Sequence, residues 1–375
     1  MRDPVPLRST MQPVQPPEES HVAAAATSRL KHRARHRMRN LIATLAAASV
    51  CLGVLVTTDE ANAVGQPLSS SAASDYTSYI DLPYASGTSQ VLDLYVPEGA
   101  RKPLPVIVYV HGGAWSGSDK SELKRTIGWE ALLDQGFAIA SVNYTLSANA
   151  KFPTQIQEVK SAVRYLRSVG PQYKLNGKVG LMGASAGGQI AGLVGTTCGV
   201  RSLEGTIGTT GPSSCVDAVM DIAGPTDLGT LGATSPALSG AVAAYLGCPA
   251  GVESCSSAVL KQADPTTYVT SSRRLPPFLI AHGDADTVVP LEQSRRFLTS
   301  LKQGCGNVSL FTLSGQDHFF ATLGALLEPF PARTVQTSKG CGKTKTATEP
   351  PLGYATIGAF FRSSWDSPSG RIAVP

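Results

Sequence analysis

Ser185, Asp286 and His318 are the side chains around which chemistry can be built in this sequence. A serine hydroxyl is a poor nucleophile until a base takes its proton. Ser185 stands in Gly183-Ala184-Ser185-Ala186-Gly187-Gly188, with small residues on both sides. Small neighbours permit a sharp strand-to-helix turn that strains the serine backbone and lifts its hydroxyl over the sheet. The pattern alone recurs in ordinary turns. It gains weight here because an apolar run at 178–182 precedes it and a helical run from Gln189 follows. A helix start beneath the serine also favours developing negative charge.

A base must then be found, and three histidines follow residue 63. His111 opens His111-Gly112-Gly113-Ala114-Trp115 directly after an apolar strand. In such a loop glycines let backbone amides face an oxyanion, so Gly112, Gly113 and Ala114, with Ala186 after the nucleophile, are the expected oxyanion residues. Trp115 and Tyr144 are expected to wall the substrate pocket. His282 opens His282-Gly283-Asp284-Ala285-Asp286 at the end of another strand and reads as a turn residue. His318, after the last strand, remains as general base. Asp286 lies between a strand at 277–281 and a helix starting near Pro290, which suits an acid that fixes the imidazole tautomer. Asp284, a turn former, and Asp227 are its competitors. Such a set performs acyl transfer through a covalent acyl-serine and needs no cofactor or metal.

The elements that must position these residues are legible as a rhythm. Runs at 104–110, 137–142, 178–182, 216–222, 277–281 and 308–313 are predominantly apolar, as strands buried on both faces are. They alternate with helical patterns such as Ile156, Val159, Val163, Leu166 and Val169 within 154–169. The expectation is an α/β fold with a mostly parallel central sheet and helices on both faces. Runs at 79–83 and 91–96 predict an antiparallel hairpin at its start. Residues 228–272, rich in Gly, Ala, Ser and Pro, lack the rhythm and predict a small cap-like insertion. Residues 321–352 predict a second, irregular insertion containing Cys341, before a closing helix near 354–365.

The first 63 residues read differently. Basic residues cluster from Lys31 to Arg39, an apolar run spans 41–56, and Ala61-Asn62-Ala63 supplies the small-x-small pattern of a signal-peptidase site. About 16 apolar residues rich in Ala are short for a spanning helix, which needs ~20. Cleaved export is therefore expected, giving a mature hydrolase domain from about residue 64 to 375. The stretch before the signal is long, and Met11 or Met38 would give a start of more usual length. Cys51 follows Val50, where a lipoprotein signal wants a small residue. These 63 residues hold 8 of the 32 basic and 5 of the 27 acidic side chains, which leaves 24 against 22. So small a surplus excludes nucleic acid or stable membrane association as an electrostatic expectation and leaves the oligomeric state open. Six cysteines remain, an even number that argues for disulfides in an exported chain. No Cys-x-x-Cys or Cys/His cluster favours metal instead. Their order suggests the nearest-neighbour pairs Cys198–Cys215, Cys248–Cys255 and Cys305–Cys341, one of many connectivities six cysteines allow.

Taken as a set, His111–Trp115, Val142-Asn143-Tyr144, Gly183–Gly188, 282–290 and Asp317-His318-Phe319 resemble the α/β-hydrolases of the carboxylesterase and hormone-sensitive-lipase-like branch. The likeness extends over about residues 75–325 and is nearest to secreted bacterial bifunctional feruloyl and acetyl-xylan esterases. It implies the chain order nucleophile, acid, histidine on Ser185, Asp286 and His318, and hydrolysis of carboxylic esters without a cofactor. Short acyl esters, such as acetylated or feruloylated polysaccharide, are the implied substrates. Lipase action on longer chains and amide or formamide hydrolysis are the alternatives. Ala114 departs from the third glycine of the commoner oxyanion loop and resembles the variant of kynurenine formamidases.

Overall fold

The computed structural model describes residues 75–126, 128–320, 326 and 332–366. The basic and apolar segment with Ala61-Asn62-Ala63 lies outside the described residues. Strands β1 (Tyr76–Pro83), β2 (Val91–Pro97), β3 (Leu104–Val110), β4 (Ala138–Val142), β5 (Leu175–Ala184), β6 (Ala218–Ile222), β7 (Phe278–Gly283), β8 (Val308–Leu313), β9 (Ala332–Ser338) and β10 (Lys345–Ala347) form one sheet. Their spatial order is β1-β2-β4-β3-β5-β6-β7-β8-β9-β10. The pairs from β4 through β8 are parallel, while β1 and β2 at one edge and β9 and β10 at the other run antiparallel to their neighbours. This is the α/β-hydrolase arrangement.

Successive side chains of one strand point to opposite faces, so each central strand feeds two cores. Val106, Val108 and Val110 of β3 pack with Leu181, Val219 and Ile280 on one face. The residues between them, Ile107 and Tyr109, pack with Met182, Met220 and Leu279 on the other. That double burial is why these strands read as predominantly apolar runs. The first face is covered by α1 (Thr154–Val169) and α2 (Ala186–Thr196). The helices α3 (Leu228–Thr234), α4 (Pro236–Leu246), α5 (Ser257–Ala263) and α6 (Glu292–Gln303) follow in chain order, and residues of α3, α4 and α6 join that same core. The second face is covered by α7 (Tyr354–Asp366), whose Ile357, Phe361 and Trp365 stand four residues apart, close to one helical turn.

Two segments differ from expectation. Within 321–352 the chain is not wholly irregular: β9 and β10 extend the sheet, with Val335 opposite Phe311. Thr334, Val335 and Thr337 are β-branched and suit a strand. The segment is too short and polar to show that pattern in isolation. Residues 228–272 hold α3, α4 and α5, and Leu228, Leu231, Val242, Tyr245 and Leu246 belong to the same core as the central strands. Disulfides join Cys198 to Cys215, Cys248 to Cys255 and Cys305 to Cys341. The first ties the loop after α2 to the start of β6. The last ties the end of α6 to the β9–β10 turn.

Candidate active site

β5 runs into Ser185 and α2 begins at Ala186. Ser185 carries φ 54° and ψ −120°, outside the regions an ordinary residue prefers, and its N–H donates to Ile222 O on the adjacent β6 (2.8 Å). Such a backbone persists only when its surroundings over-determine it. Here a glycine does so: a Cβ on Gly187 would stand 2.1 Å from Val110 O and 2.5 Å from His111 O. The first turn of α2 therefore lies directly on the end of β3, with no room for a side chain between.

His318 bridges Ser185 and Asp286. Its Nε2 is 2.8 Å from Ser185 Oγ and its Nδ1 is 2.7 Å from Asp286 Oδ2. With Asp286 ionised, the tautomer protonated on Nδ1 satisfies both contacts: Nδ1–H donates to the carboxylate and Nε2 accepts the Ser185 hydroxyl. Asp286 Oδ1 accepts the Val288 and Val289 amides, each at 2.8 Å. Burial opposes ionisation of Asp286, but hydrogen bonds with His282 and His318 and from the Val289 amide outweigh it, holding the carboxyl well below the usual carboxylate range.

The competing carboxylates are used elsewhere. Asp284 accepts the Gly315 amide at 2.6 Å, and Asp227 caps α3 by accepting the Thr230 amide at 3.0 Å. His282 is fully buried, with Nδ1 against Ser294 Oγ at 2.7 Å and Nε2 against Val289 O at 2.8 Å. Its Nε2 also lies 3.2 Å from Asp286 Oδ2, so it shapes the turn and holds the acid at once. The second part had no signal in the sequence, because the contact depends on how residues 282–289 fold back.

On the opposite side of Ser185, Gly113, Ala114 and Trp115 have consecutive positive φ of 93°, 51° and 57°. For the two non-glycine residues this costs on the order of 1 kcal/mol each. Among the described residues no acceptor takes the Gly113 or Ala114 amide. Ala186 is the first residue of α2, where an amide has no intrahelical partner. Gly112 departs from expectation, because its N–H donates to Glu122 Oε1 at 2.9 Å and is not free for an oxyanion.

Trp115 and Tyr144 also require correction, since neither lines the cavity at Ser185. Trp115 is buried, stacks on Tyr245 at 4.6 Å between centroids, and donates Nε1–H to Gln189 Oε1. Tyr144 stacks on His111 at 4.2 Å and donates its hydroxyl to the His111 and Gly112 carbonyls. Both rings underpin the loop from the core side. Their amphipathic tips find partners inside the protein, which is the common fate of a buried Tyr or Trp. Burial lowers the His111 pKa, and its flat contact with Tyr144 fits a structural ring.

The cavity above Ser185 holds about 220 Å³ and is walled by Ala114, Ile222, Leu238, Val288 and Phe319, with Glu122 on its polar side. Sequence reasoning missed Leu238, Val288 and Glu122 as wall residues. Phe319, 54% exposed beside His318, had one signal, its place directly after the histidine.

Residues 92–301 match the model of the BD-FAE family. Esterase LipC of Mycobacterium tuberculosis (strain ATCC 25618 / H37Rv) is 28% identical over 243 residues, 64% of this chain. The chain spans 59% of that relative's length. Among solved structures, a truncated carbohydrate esterase from gut microbiota is 30% identical with a TM-score of 0.58, covering 64% of this chain and 89% of its own. A bifunctional GH43-CE protein of Bacteroides eggerthii is 34% identical with a TM-score of 0.58, covering 64% of this chain and 35% of its own. Because the family match spans more than half of the sequence and contains both Ser185 and Asp286, the chain belongs to the BD-FAE family.

Proposed function

We propose that this protein is an exported serine carboxylic-ester hydrolase that works through an acyl-enzyme, with Ser185 as nucleophile, His318 as general base and Asp286 as the orienting acid. The observation that carries the reading is the pair of hydrogen bonds through one imidazole, Ser185 Oγ to Nε2 at 2.8 Å and Nδ1 to Asp286 at 2.7 Å, at the floor of a cavity. Ser185 Oγ attacks the ester carbonyl while His318 Nε2 takes its proton. The amides of Gly113, Ala114 and Ala186 receive the oxyanion. His318 then returns the proton to the leaving alcohol. A water, deprotonated by the same nitrogen, releases the acid and restores the serine.

Short acyl groups suit the cavity. At about 220 Å³ it falls below the ~300–1,000 Å³ of sites that enclose drug-sized ligands, and its walls are apolar. The similarity to a carbohydrate esterase from gut microbiota favours an acylated polysaccharide as the natural substrate. Three disulfides and the segment ending at Ala63 support export. No helix of the described residues is long and apolar enough to cross a membrane.

Turnover of a chromogenic acetyl ester by wild type and by Ser185→Ala tests the assignment. The variant should lose on the order of 10⁶-fold in kcat with its melting temperature retained. A panel of acyl esters should show kcat/KM falling beyond butyryl. Substantial activity in Ser185→Ala, or a preference for palmitoyl esters, would refute the respective part.

A further inference from the structure

Glu122 opens a one-turn helix, Glu122–Arg125, ten residues beyond Gly112. Its carboxylate faces the cavity, and its oxygens are engaged by three donors. Oε1 accepts the Gly112 amide at 2.9 Å and the Tyr109 hydroxyl at 2.8 Å, and Oε2 accepts the Ser118 hydroxyl at 2.6 Å. Arg125 Nη2 donates in turn to Ser118 Oγ at 3.2 Å. One side chain thus ties the end of β3, the first loop glycine and the far side of the loop. Between those anchors lie Gly113, Ala114 and Trp115, which like the anchor Ser118 are at positive φ. The loop also presses on the nucleophile: a Cβ on Gly112 would stand 3.3 Å from Ser185 Cβ and 3.6 Å from Glu122 Oε1.

Resting on the proposed reading of Ser185 and its oxyanion donors, we infer that Glu122 is a positioning residue that holds the Gly113 and Ala114 amides in register with Ser185. A strained run of residues keeps its geometry only if its ends are fixed. One end is fixed by Trp115 on Gln189 and Tyr245, and the other by the Glu122 carboxylate. A carboxylate suits the task because it accepts several hydrogen bonds and offers no donor to compete with those amides. Displacing reacting groups by about 1 Å costs on the order of 10²-fold in rate, so a slack loop would be felt in kcat.

The test compares wild type, Glu122→Ala and Glu122→Gln on a chromogenic acetyl ester, with active sites counted by complete fluorophosphonate titration. Glu122→Ala should lower kcat per titrated site by roughly 10- to 100-fold, with KM within about threefold, as expected for an oxyanion interaction made in the transition state. The inhibition constant for an alkyl boronic acid, which mimics the tetrahedral state, should rise in step. Glu122→Gln keeps an acceptor for Gly112 and Tyr109 and should recover most of the loss. A merely structural role would lower the melting temperature and the titrated fraction but leave kcat per site unchanged, and that result overturns the inference. So does a Glu122→Gln variant as slow as Glu122→Ala, because charge rather than bracing would then be responsible. Failure of the fluorophosphonate to label wild type, or full activity in Ser185→Ala, removes the underlying reading of the site and is distinguishable from both.

Discussion

The two halves of the site are held by different forces. Around Ser185 the backbone itself is the scaffold: β5, the first turn of α2 and the end of β3 touch without side chains between them. Around His318 and Asp286 the geometry depends on side-chain hydrogen bonds spread over residues 282–289 and 318. The nucleophile half should therefore fail by steric intrusion and take the fold with it. The acid-base half should fail chemically while the fold survives.

After Ser185→Ala, the largest expected effect is at Asp286. In Asp286→Asn the amide can still accept the Val288 and Val289 N–H groups through its oxygen. Its NH₂ would face His318 Nδ1, driving the proton to Nε2 and leaving Ser185 without a base. A loss on the order of 10⁴-fold in kcat is expected, with the fold retained at a lower unfolding midpoint because the ionised carboxylate's stabilisation is gone. Asp284→Asn should cost less than about threefold, since that side chain serves the Gly315 amide. Steady-state kinetics on the pair checks this, and the reverse ranking would move the acid to Asp284.

Next in size is Gly187→Ala, which sets a methyl against the carbonyls of Val110 and His111. It should destabilise by at least ~1–3 kcal/mol and lower activity in the folded fraction, because overpacking here shifts Ser185 and the oxyanion loop together. Denaturant unfolding and kinetics on the same samples read both. An unchanged midpoint would remove the contrast between the halves.

A smaller, pH-dependent effect lies beneath the nucleophile. Asp221 on β6 is buried and accepts the Gly224 amide at 2.8 Å. Burial pushes its carboxyl up to about 6, against the lowering effects of that amide and of His282. The folded form thus holds a proton between about pH 4 and 6 that the unfolded chain has released. Its contribution to stability is complete below about pH 4 and is lost as pH rises through 6, by roughly 3 kcal/mol at most. Asp221→Asn keeps the acceptor and should remove that slope, so melting curves of the two proteins should diverge from pH 4 to 7. Parallel curves would contradict it. Asp286 carries the opposite sign, giving stability above its unfolded pKa that is lost in strong acid.

Local pattern carried a large part of the structure. The strand at 104–110 and the helix at 154–169 were legible to the residue, because double burial writes a continuous apolar run and single-face burial a helical period. β5 proved longer than its apolar centre at 178–182, since Leu175 joins through its pairing with Leu104. The sharp turn at Ser185 was also readable, because strain at a turn demands small residues within a few positions.

What the sequence by itself determined is the central strands and the sharp turn at Ser185, since both follow from residues adjacent in the chain. Tertiary structure alone brought His282 to the carboxylate that His318 contacts. It also turned Trp115 and Tyr144 inward, recruited Glu122 to the Gly112 amide, and added β9 and β10 to the sheet edge. Each of those outcomes depends on the direction of a side chain or the register of a strand against a distant partner, and no periodicity in the chain records either.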